Sequence, residues 1–114
     1  MYLYEQHCLT ETNPQLLTKE QIKKHLKEIP QWQSSIEKKE ICRTFKFKNY
    51  HQTLFFINAI ALIIHEENHH PDIKFGYNFC TVCFSTHSAN GITLFDFICA
   101  AHIEQLILKQ DFNA

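Results

Sequence analysis

Three histidines have neighbours that favour acid–base chemistry. His69 and His70 are adjacent and precede Pro71, and His87 follows further along the chain. An imidazole titrates near neutral pH, so it can both give and accept a proton, which accelerates a reaction by roughly 10²–10⁴-fold. Since proline restricts the backbone of the residue before it, we expect fixed directions for both rings of the pair. The other histidines outside this region are assigned to the surface or to ordinary hydrogen bonds: His7, His25, His51 and His102.

A zinc-hydrolase pattern overlaps the same residues. His65-Glu66-Glu67-Asn68-His69 matches H-E-x-x-H, in which two imidazoles one helical turn apart bind the metal beside a glutamate. The pattern is short and needs a third ligand from elsewhere in the chain. Its second histidine would lie at the end of a helix, where Pro71 disturbs the regular geometry. A zinc hydrolase is therefore kept as an alternative, and no metal ligand is assigned.

The five cysteines show no regular framework of spacings. Cys80 and Cys83 are placed in one predicted strand, where residues three apart face opposite sides and cannot chelate one ion without a bulge. Cys80, Cys83 and Cys99 lie in apolar segments, where free cysteine packs as a small hydrophobic residue. The N-terminal residues do not resemble a secretory signal. These features predict a cytoplasmic protein with structural, reduced cysteines.

Hydrophobic periodicity and capping residues place the histidines on a predicted element order of α-β-β-α-β-β-α. Two hairpins with helices around them predict an α+β fold, a four-stranded antiparallel sheet with helices packed on one face. The predicted bounds are Thr18 to Pro30 for the first helix, 32–36 and 41–47 for two strands, Asn49 to about His69 for the central helix, 73–77 and 79–86 for two more strands, and 94–108 for the third helix.

Length and composition are those of one globular domain. The chain has 114 residues and a formal net charge of −1, without the basic stripe that a nucleic-acid partner requires. Its longest apolar stretch, residues 54–64, is too short to cross about 30 Å of hydrocarbon. Neither nucleic acid nor a membrane is expected as a partner. Residues 1–17 show no clear period and are expected to be a mobile or loosely docked lead-in to a single domain over residues 18–114.

Several motifs taken together resemble the pterin-4a-carbinolamine dehydratase family. The resemblance spans about residues 18 to 108, and the predicted order of elements agrees with that family. One position departs from the family pattern, since His65 stands where an acid usually precedes the histidine pair by four residues. The matching motifs are His69-His70-Pro71, Ser85-Thr86-His87, Gly91-Ile92-Thr93 and Asp96, with Trp32 and Arg43-Thr44-Phe45-Lys46-Phe47 upstream.

The resemblance assigns roles to individual residues. It implies catalytic roles for His69, His70, His87 and Asp96, with His70 and His87 as the main proton carriers. Two alternatives stay open: Asp96 as a helix-capping residue with Thr93, and Trp32 as a core aromatic residue. The implied substrate-binding residues are Trp32 at the rim of the pocket, Pro71, Thr86, Ser88 and Ala89.

The resemblance also implies a reaction. Members of the family dehydrate 4a-hydroxytetrahydropterin to quinonoid dihydropterin, a hydro-lyase step that recycles the pterin cofactor of aromatic amino-acid hydroxylases. We therefore expect a metal-independent enzyme without cofactors, a homodimer or homotetramer, and a functional link to such a hydroxylase. A non-enzymatic dimerisation or binding module stays open as a second alternative, because animal relatives also serve as dimerisation cofactors for a transcription factor.

Overall fold

The computed structural model describes residues 1–8 and 13–112. It confirms the α+β fold and the predicted order of elements. Short 3₁₀ turns, Leu3–Glu5 and His87–Ala89, supplement the regular elements. The helices are α1 (Lys19–Leu26), α2 (Tyr50–Glu67) and α3 (Leu94–Lys109), and the strands are β1 (Gln33–Ser35), β2 (Glu40–Lys46), β3 (Asp72–Phe75) and β4 (Phe79–Phe84).

The four strands form one antiparallel sheet in the order β1-β2-β4-β3. Ile41 and Phe45 of β2 are buried, as are Val82 and Phe84 of β4, so one face of the sheet faces the core. On the opposite face the hydroxyl groups of Thr44 and Thr81 lie 2.8 Å apart in a cross-strand hydrogen bond. Successive residues of β2 therefore alternate between the core and the outer face of the sheet.

Side chains at the helix starts explain where the helices begin. Thr18 and Gln21 form a capping box at the start of α1, and the Asn49 side chain accepts a hydrogen bond from the backbone N–H of Gln52 in α2. Over residues 1–8 and 13–112, the helices lack the combination of length and apolar character that crossing a membrane requires.

The end of α2 differs from the prediction. The helix stops at Glu67, and Asn68 adopts a left-handed backbone conformation with φ 50° and ψ 42°. Asparagine tolerates this conformation better than most residues and commonly ends helices in this way. His69 and His70 therefore follow the helix and do not form its last turn, so Asn68 ends the helix before the restriction imposed by Pro71 applies.

The core lies between the sheet and the two long helices. Phe56 and Ile60 of α2 and Phe97 of α3 are completely buried in it. Leu3 and Cys8 belong to the same core, so residues 1–8 pack on the domain. The predicted lead-in includes residues 9–12, and the predicted domain includes residues 113–114. Both of these ranges lie outside the described residues. The division at residue 18 stays a prediction.

The prediction of reduced cysteines was wrong for two residues, Cys42 and Cys83. Cys83 is disulfide-bonded to Cys42, its partner in the register of β4 with β2, with Cα atoms 4.2 Å apart. Cys80 and Cys99 are buried as expected. Burial raises the pKa of the Cys80 thiol to about 11, and for Cys99 a hydrogen bond with Cys8 adds to burial in raising its pKa. Because Cys80 faces the core and Cys83 the other side, the two cannot share a metal ion.

Candidate active site

One pocket brings the predicted histidines together. It has a volume of about 290 Å³ and lies where the segment after α2 meets the end of β4. A larger cavity of about 610 Å³ lies between β2 and the end of α3, but its lining contains no histidine. We take the smaller pocket as the candidate site because it holds the titratable groups. Its lining residues are Pro14, Asn68, His69, His70, Ser85, Thr86, His87, Ser88 and Phe95.

His69 is the most firmly held of the three histidines. Its Nε2 lies 2.6 Å from Oδ1 of Asp96, and only 12% of its side chain is exposed. The ring stacks on Phe84 at 5.8 Å and meets Phe95 edge-on at the same distance. Two aromatic contacts and a short hydrogen bond to a carboxylate fix the orientation of this imidazole.

Asp96 connects the histidine to the start of α3. Its Oδ2 accepts hydrogen bonds from the backbone N–H of Thr93, at 2.9 Å, and from the hydroxyl group of Thr86, at 3.0 Å. The Thr86 and Thr93 hydroxyl oxygens lie 2.7 Å apart. Asp96 is completely buried, and these partners offset the cost of removing a carboxylate from water. The capping contact and the contact with His69 therefore coexist in one residue.

His70 and His87 differ from His69 in being exposed. Among the described residues, the structure gives neither ring a hydrogen bond to another side chain. His87 begins the 3₁₀ turn after β4, and Asn90 ends that turn in a left-handed conformation with φ 58°. The turn is closed by the Thr86 N–H, which donates to the Gly91 carbonyl at 2.9 Å. A short closed turn thus places His87 at the pocket while leaving its ring free to meet a ligand.

Three of the residues assigned to substrate binding do not line the pocket. Trp32 is 2% exposed, packs on Phe84 and donates from Nε1 to Glu104 at 2.9 Å, which is the core position kept as its alternative. Ala89 is half-buried and donates its N–H to the Thr86 carbonyl. Pro71 immediately precedes β3. Thr86 and Ser88 do line the pocket.

The zinc-hydrolase alternative receives no geometric support. His69 lies beyond the end of α2, so it is not one regular helical turn above His65. Within residues 1–8 and 13–112, neither His65 nor His69 belongs to a group of three residues close enough to hold a metal ion. The His69 nitrogen Nε2 is instead engaged by Asp96.

Sequence reasoning missed several lining residues. Phe95 was not singled out, although its position beside Asp96 at the start of α3 was a usable signal. Asn68 and Ser85 adjoin predicted site residues, and Pro14 comes from the segment assigned to the lead-in. Pro14 could not be found from spacing, because its contact with the pocket depends on how the N-terminal segment packs.

Comparison with known proteins gives a consistent result. A sequence model described as pterin 4 alpha carbinolamine dehydratase matches residues 15–106. A protein of Hydrogenovibrio crunogenus, provisionally named a pterin-4-alpha-carbinolamine dehydratase, is 43% identical over 92% of this chain and 94% of its own length. A protein of the same provisional name from Bdellovibrio bacteriovorus is 49% identical over 84% of this chain and 82% of its own.

Solved structures agree with the sequence comparison. The structure of a transcriptional coactivator/pterin dehydratase from Brucella melitensis aligns with a TM-score of 0.75 and 31% identity, covering 80% of this chain and 97% of that one. A pterin dehydratase-like RuBisCO assembly factor of the alpha-carboxysome aligns with a TM-score of 0.56 and 24% identity over 66% of this chain and 87% of its own, a likeness of fold alone. With its sequence matched over most of its length, this chain belongs to the pterin 4 alpha carbinolamine dehydratase family.

Proposed function

We propose that the protein dehydrates 4a-hydroxytetrahydropterin to quinonoid dihydropterin and thereby recycles the pterin cofactor of aromatic amino-acid hydroxylases. The observation that carries this proposal is the meeting of His69, His70 and His87 at one pocket in a chain of this family. The names of the curated relatives support the same activity. A functional link to a hydroxylase follows from the substrate, which is a by-product of hydroxylation.

The reaction needs two proton transfers and no change of redox state overall. The lone pair of the pterin ring nitrogen forms a double bond to C4a as the C4a–oxygen bond breaks. The departing hydroxyl group takes a proton and leaves as water, and the nitrogen then loses a proton to give the quinonoid product. One imidazolium and one neutral imidazole suffice for these steps.

The contacts of the three rings support a division of roles. His70 and His87 are exposed at the pocket, so they are suited to protonate the leaving hydroxyl group. His69 is held by Asp96 through Nε2. A carboxylate only accepts hydrogen bonds, so the neutral His69 ring carries its proton on Nε2 and its lone pair on Nδ1. His69 then positions the pterin or acts as the base.

The test is ultraviolet assay of carbinolamine loss with the His70→Ala, His87→Ala double variant. Loss of both acids should lower kcat by roughly 10²-fold or more, the usual contribution of acid–base catalysis. His51→Ala is the matched control, since His51 is an exposed histidine of α2 outside the pocket. Full activity of the double variant would contradict the proposal. Chelation should leave the activity unchanged, whereas a zinc hydrolase would lose it.

We further infer a homodimer or homotetramer. Phe55 and Leu62 of α2 and Leu108 of α3 are large apolar side chains that are 50%, 62% and 78% exposed. Such exposure on the long helices favours burial against another copy of the chain. Light scattering at several concentrations tests this. Residence in the cytoplasm belongs to the same proposal, and cell fractionation with detection of the protein tests it.

A binding module is the second candidate function. The Brucella melitensis protein is described as a transcriptional coactivator as well as a pterin dehydratase. The exposed apolar side chains of α2 and α3 would provide the surface for such a role in this chain. Under this alternative the wild type would show no dehydration, and the histidine variants would keep partner binding. The assays of dehydration and of partner binding therefore distinguish the two functions.

A further inference from the structure

A second histidine cluster lies outside the pocket, where three elements meet. His7 comes from the N-terminal segment, Glu67 is the last residue of α2, and His102 lies on α3. The Glu67 Oε2 atom is 2.7 Å from His7 Nδ1 and 4.0 Å from His102 Nε2. The two imidazole rings stack with centroids 5.1 Å apart. Two imidazole nitrogens and one carboxylate oxygen thus lie close together, and only the His7 nitrogen is hydrogen-bonded to that oxygen.

The carboxylate at the centre is buried and oriented. Glu67 is 4% exposed, and its second oxygen, Oε1, accepts the backbone N–H of Cys8 at 2.7 Å. Burial opposes ionisation of Glu67, but hydrogen bonds from His7 and Cys8 and the nearby charges of His102 and His7 outweigh it and lower its pKa. One carboxylate oxygen is thus fixed by the backbone, and the other faces the two rings.

We propose that His7, Glu67 and His102 form a binding site for a divalent transition-metal ion, with Zn²⁺ the best match. Two imidazoles and one carboxylate are a donor set that zinc accepts, with a fourth position left to water. The proposed site uses none of the three residues that would act in the H-E-x-x-H pattern, His65, Glu66 and His69, although Glu67 lies between them in the sequence. It also lies outside the pocket of His69, His70 and His87.

The distances require only small movements. The candidate ligand atoms all lie within 4.8 Å of one another, whereas ligands on a tetrahedral zinc ion at its usual bond lengths are about 3.3 Å apart. The His7 side chain is 58% exposed, so it can shift and it gives the ion a path from solvent. The backbone N–H of Cys8 fixes the carboxylate, as outer hydrogen bonds commonly do around metal ligands.

Binding exchanges two hydrogen bonds for metal bonds. The proton on His7 Nδ1, which lies against Glu67 Oε2, must move to Nε2 of the same ring or leave to solvent before Nδ1 can bind the ion. His102 Nε2 is 2.8 Å from the Gln6 carbonyl oxygen, and its proton must move to Nδ1 or leave before this nitrogen can bind zinc. The half-buried Gln6 carbonyl can then turn to water, so the exchange strands no polar group in the core.

The ion would tie together parts of the chain that adjoin the candidate active site. Glu67 precedes Asn68 and His69, so a metal bond to its carboxylate would fix the end of α2 directly before the segment that carries two site histidines. The N-terminal segment would be fixed to α3 by the same ion. The expected role is to hold these elements in place, and dehydration itself needs no ion at this site.

Zinc titration of the chelator-stripped full chain by calorimetry tests the site. One Zn²⁺ per chain should bind the wild type, and loss of two ligands in the His7→Ala, His102→Ala double variant should weaken binding by about 100-fold or more. The His51→Ala control should bind as the wild type does. With Co²⁺ in place of zinc, the wild type should show visible absorption bands of a low-coordinate site that the double variant lacks.

Two outcomes would overturn the proposal. One is the absence of saturable zinc binding by the wild type, and the other is unchanged affinity in the double variant, which would place the ion elsewhere, for example on His70 and His87. Circular dichroism checks that each variant is folded. If the change at His102 disrupts folding, His7→Ala alone decides the question, because its ring is mostly exposed.

Discussion

Replacing Asp96 by asparagine tests whether the orientation of His69 matters for catalysis. The amide has nearly the shape of the carboxylate, so its oxygen can keep the place of Oδ2 and accept from Thr93 and Thr86. Its NH₂ group then faces His69 Nε2 in place of Oδ1. Because an amide nitrogen donates, the His69 ring must accept there and move its proton to Nδ1, which is the opposite tautomer.

The expected size of the effect follows from these contacts. If Nδ1 of His69 takes the proton in the reaction, the wrong tautomer should lower kcat by roughly 10²–10⁴-fold, or about 3–5 kcal/mol of transition-state stabilisation. The free energy of unfolding should fall by about 1–3 kcal/mol, because three hydrogen bonds lose a charged acceptor at a buried position. The predicted loss of activity is therefore larger than the loss of stability.

The assay is steady-state dehydration with urea unfolding of each variant in parallel. Glu104→Gln is a matched control, since it removes another carboxylate of α3 that is bonded to Arg43 and Trp32 outside the pocket. In the His69→Ala background, Asp96→Asn should change kcat only slightly, because Asp96 then has no ring to orient. Unchanged kcat in Asp96→Asn, or an equal loss with and without His69, would refute this reasoning.

Two further predictions concern stability. The Cys42–Cys83 bond links residues 41 apart in sequence. The free energy of unfolding of the oxidised protein, measured with urea, should therefore exceed that of the Cys42→Ser, Cys83→Ser variant by up to about 4 kcal/mol. Equal free energies would show that the bond does not restrict the unfolded chain. His25 has a pKa below its usual 6.5, mainly through burial and also through Lys24, with Glu28 acting in the opposite direction. As pH falls through 6.5, the unfolded chain takes up a proton at this position before the folded chain does, so stability should decrease. The free energy of unfolding should fall less steeply with decreasing pH in His25→Gln than in the wild type. The same steepness in both proteins would contradict the prediction.

Local sequence signals were sufficient for most of the fold. Hydrophobic periodicity and capping residues at the predicted helix starts, Thr18 and Asn49, gave the elements and their order, because these signals depend on near neighbours in the chain. The end of α2 was placed two residues too late. Proline was given the decisive role, whereas the left-handed conformation of Asn68 stops the helix first.

The candidate site was predictable mainly through family resemblance. Spacing alone drew attention to the histidine pair and to His87, but it could not join Asp96 to His69, since that contact depends on how α3 packs beside the segment after α2. The same limitation affected Trp32, for which a core position and a pocket position were equally compatible with the sequence. Its burial against Phe84 is a tertiary property.

Contacts between distant segments were the main omission. The Cys42–Cys83 pairing requires the register of β2 with β4, which no local pattern specifies. His7 and His102 were assigned to ordinary surface or hydrogen-bonded positions. Their convergence on Glu67 appears only when the N-terminal segment, α2 and α3 are assembled.

The directions of the His69 and His70 side chains depend on the left-handed backbone conformation of a single residue, Asn68. Glycine would accept that conformation and preserve the path of the chain, whereas a β-branched residue would resist it and favour another helical turn. A further turn would rotate the histidine pair away from the 3₁₀ turn that carries His87. Selection on the reaction would therefore extend to a residue whose side chain need not touch the substrate.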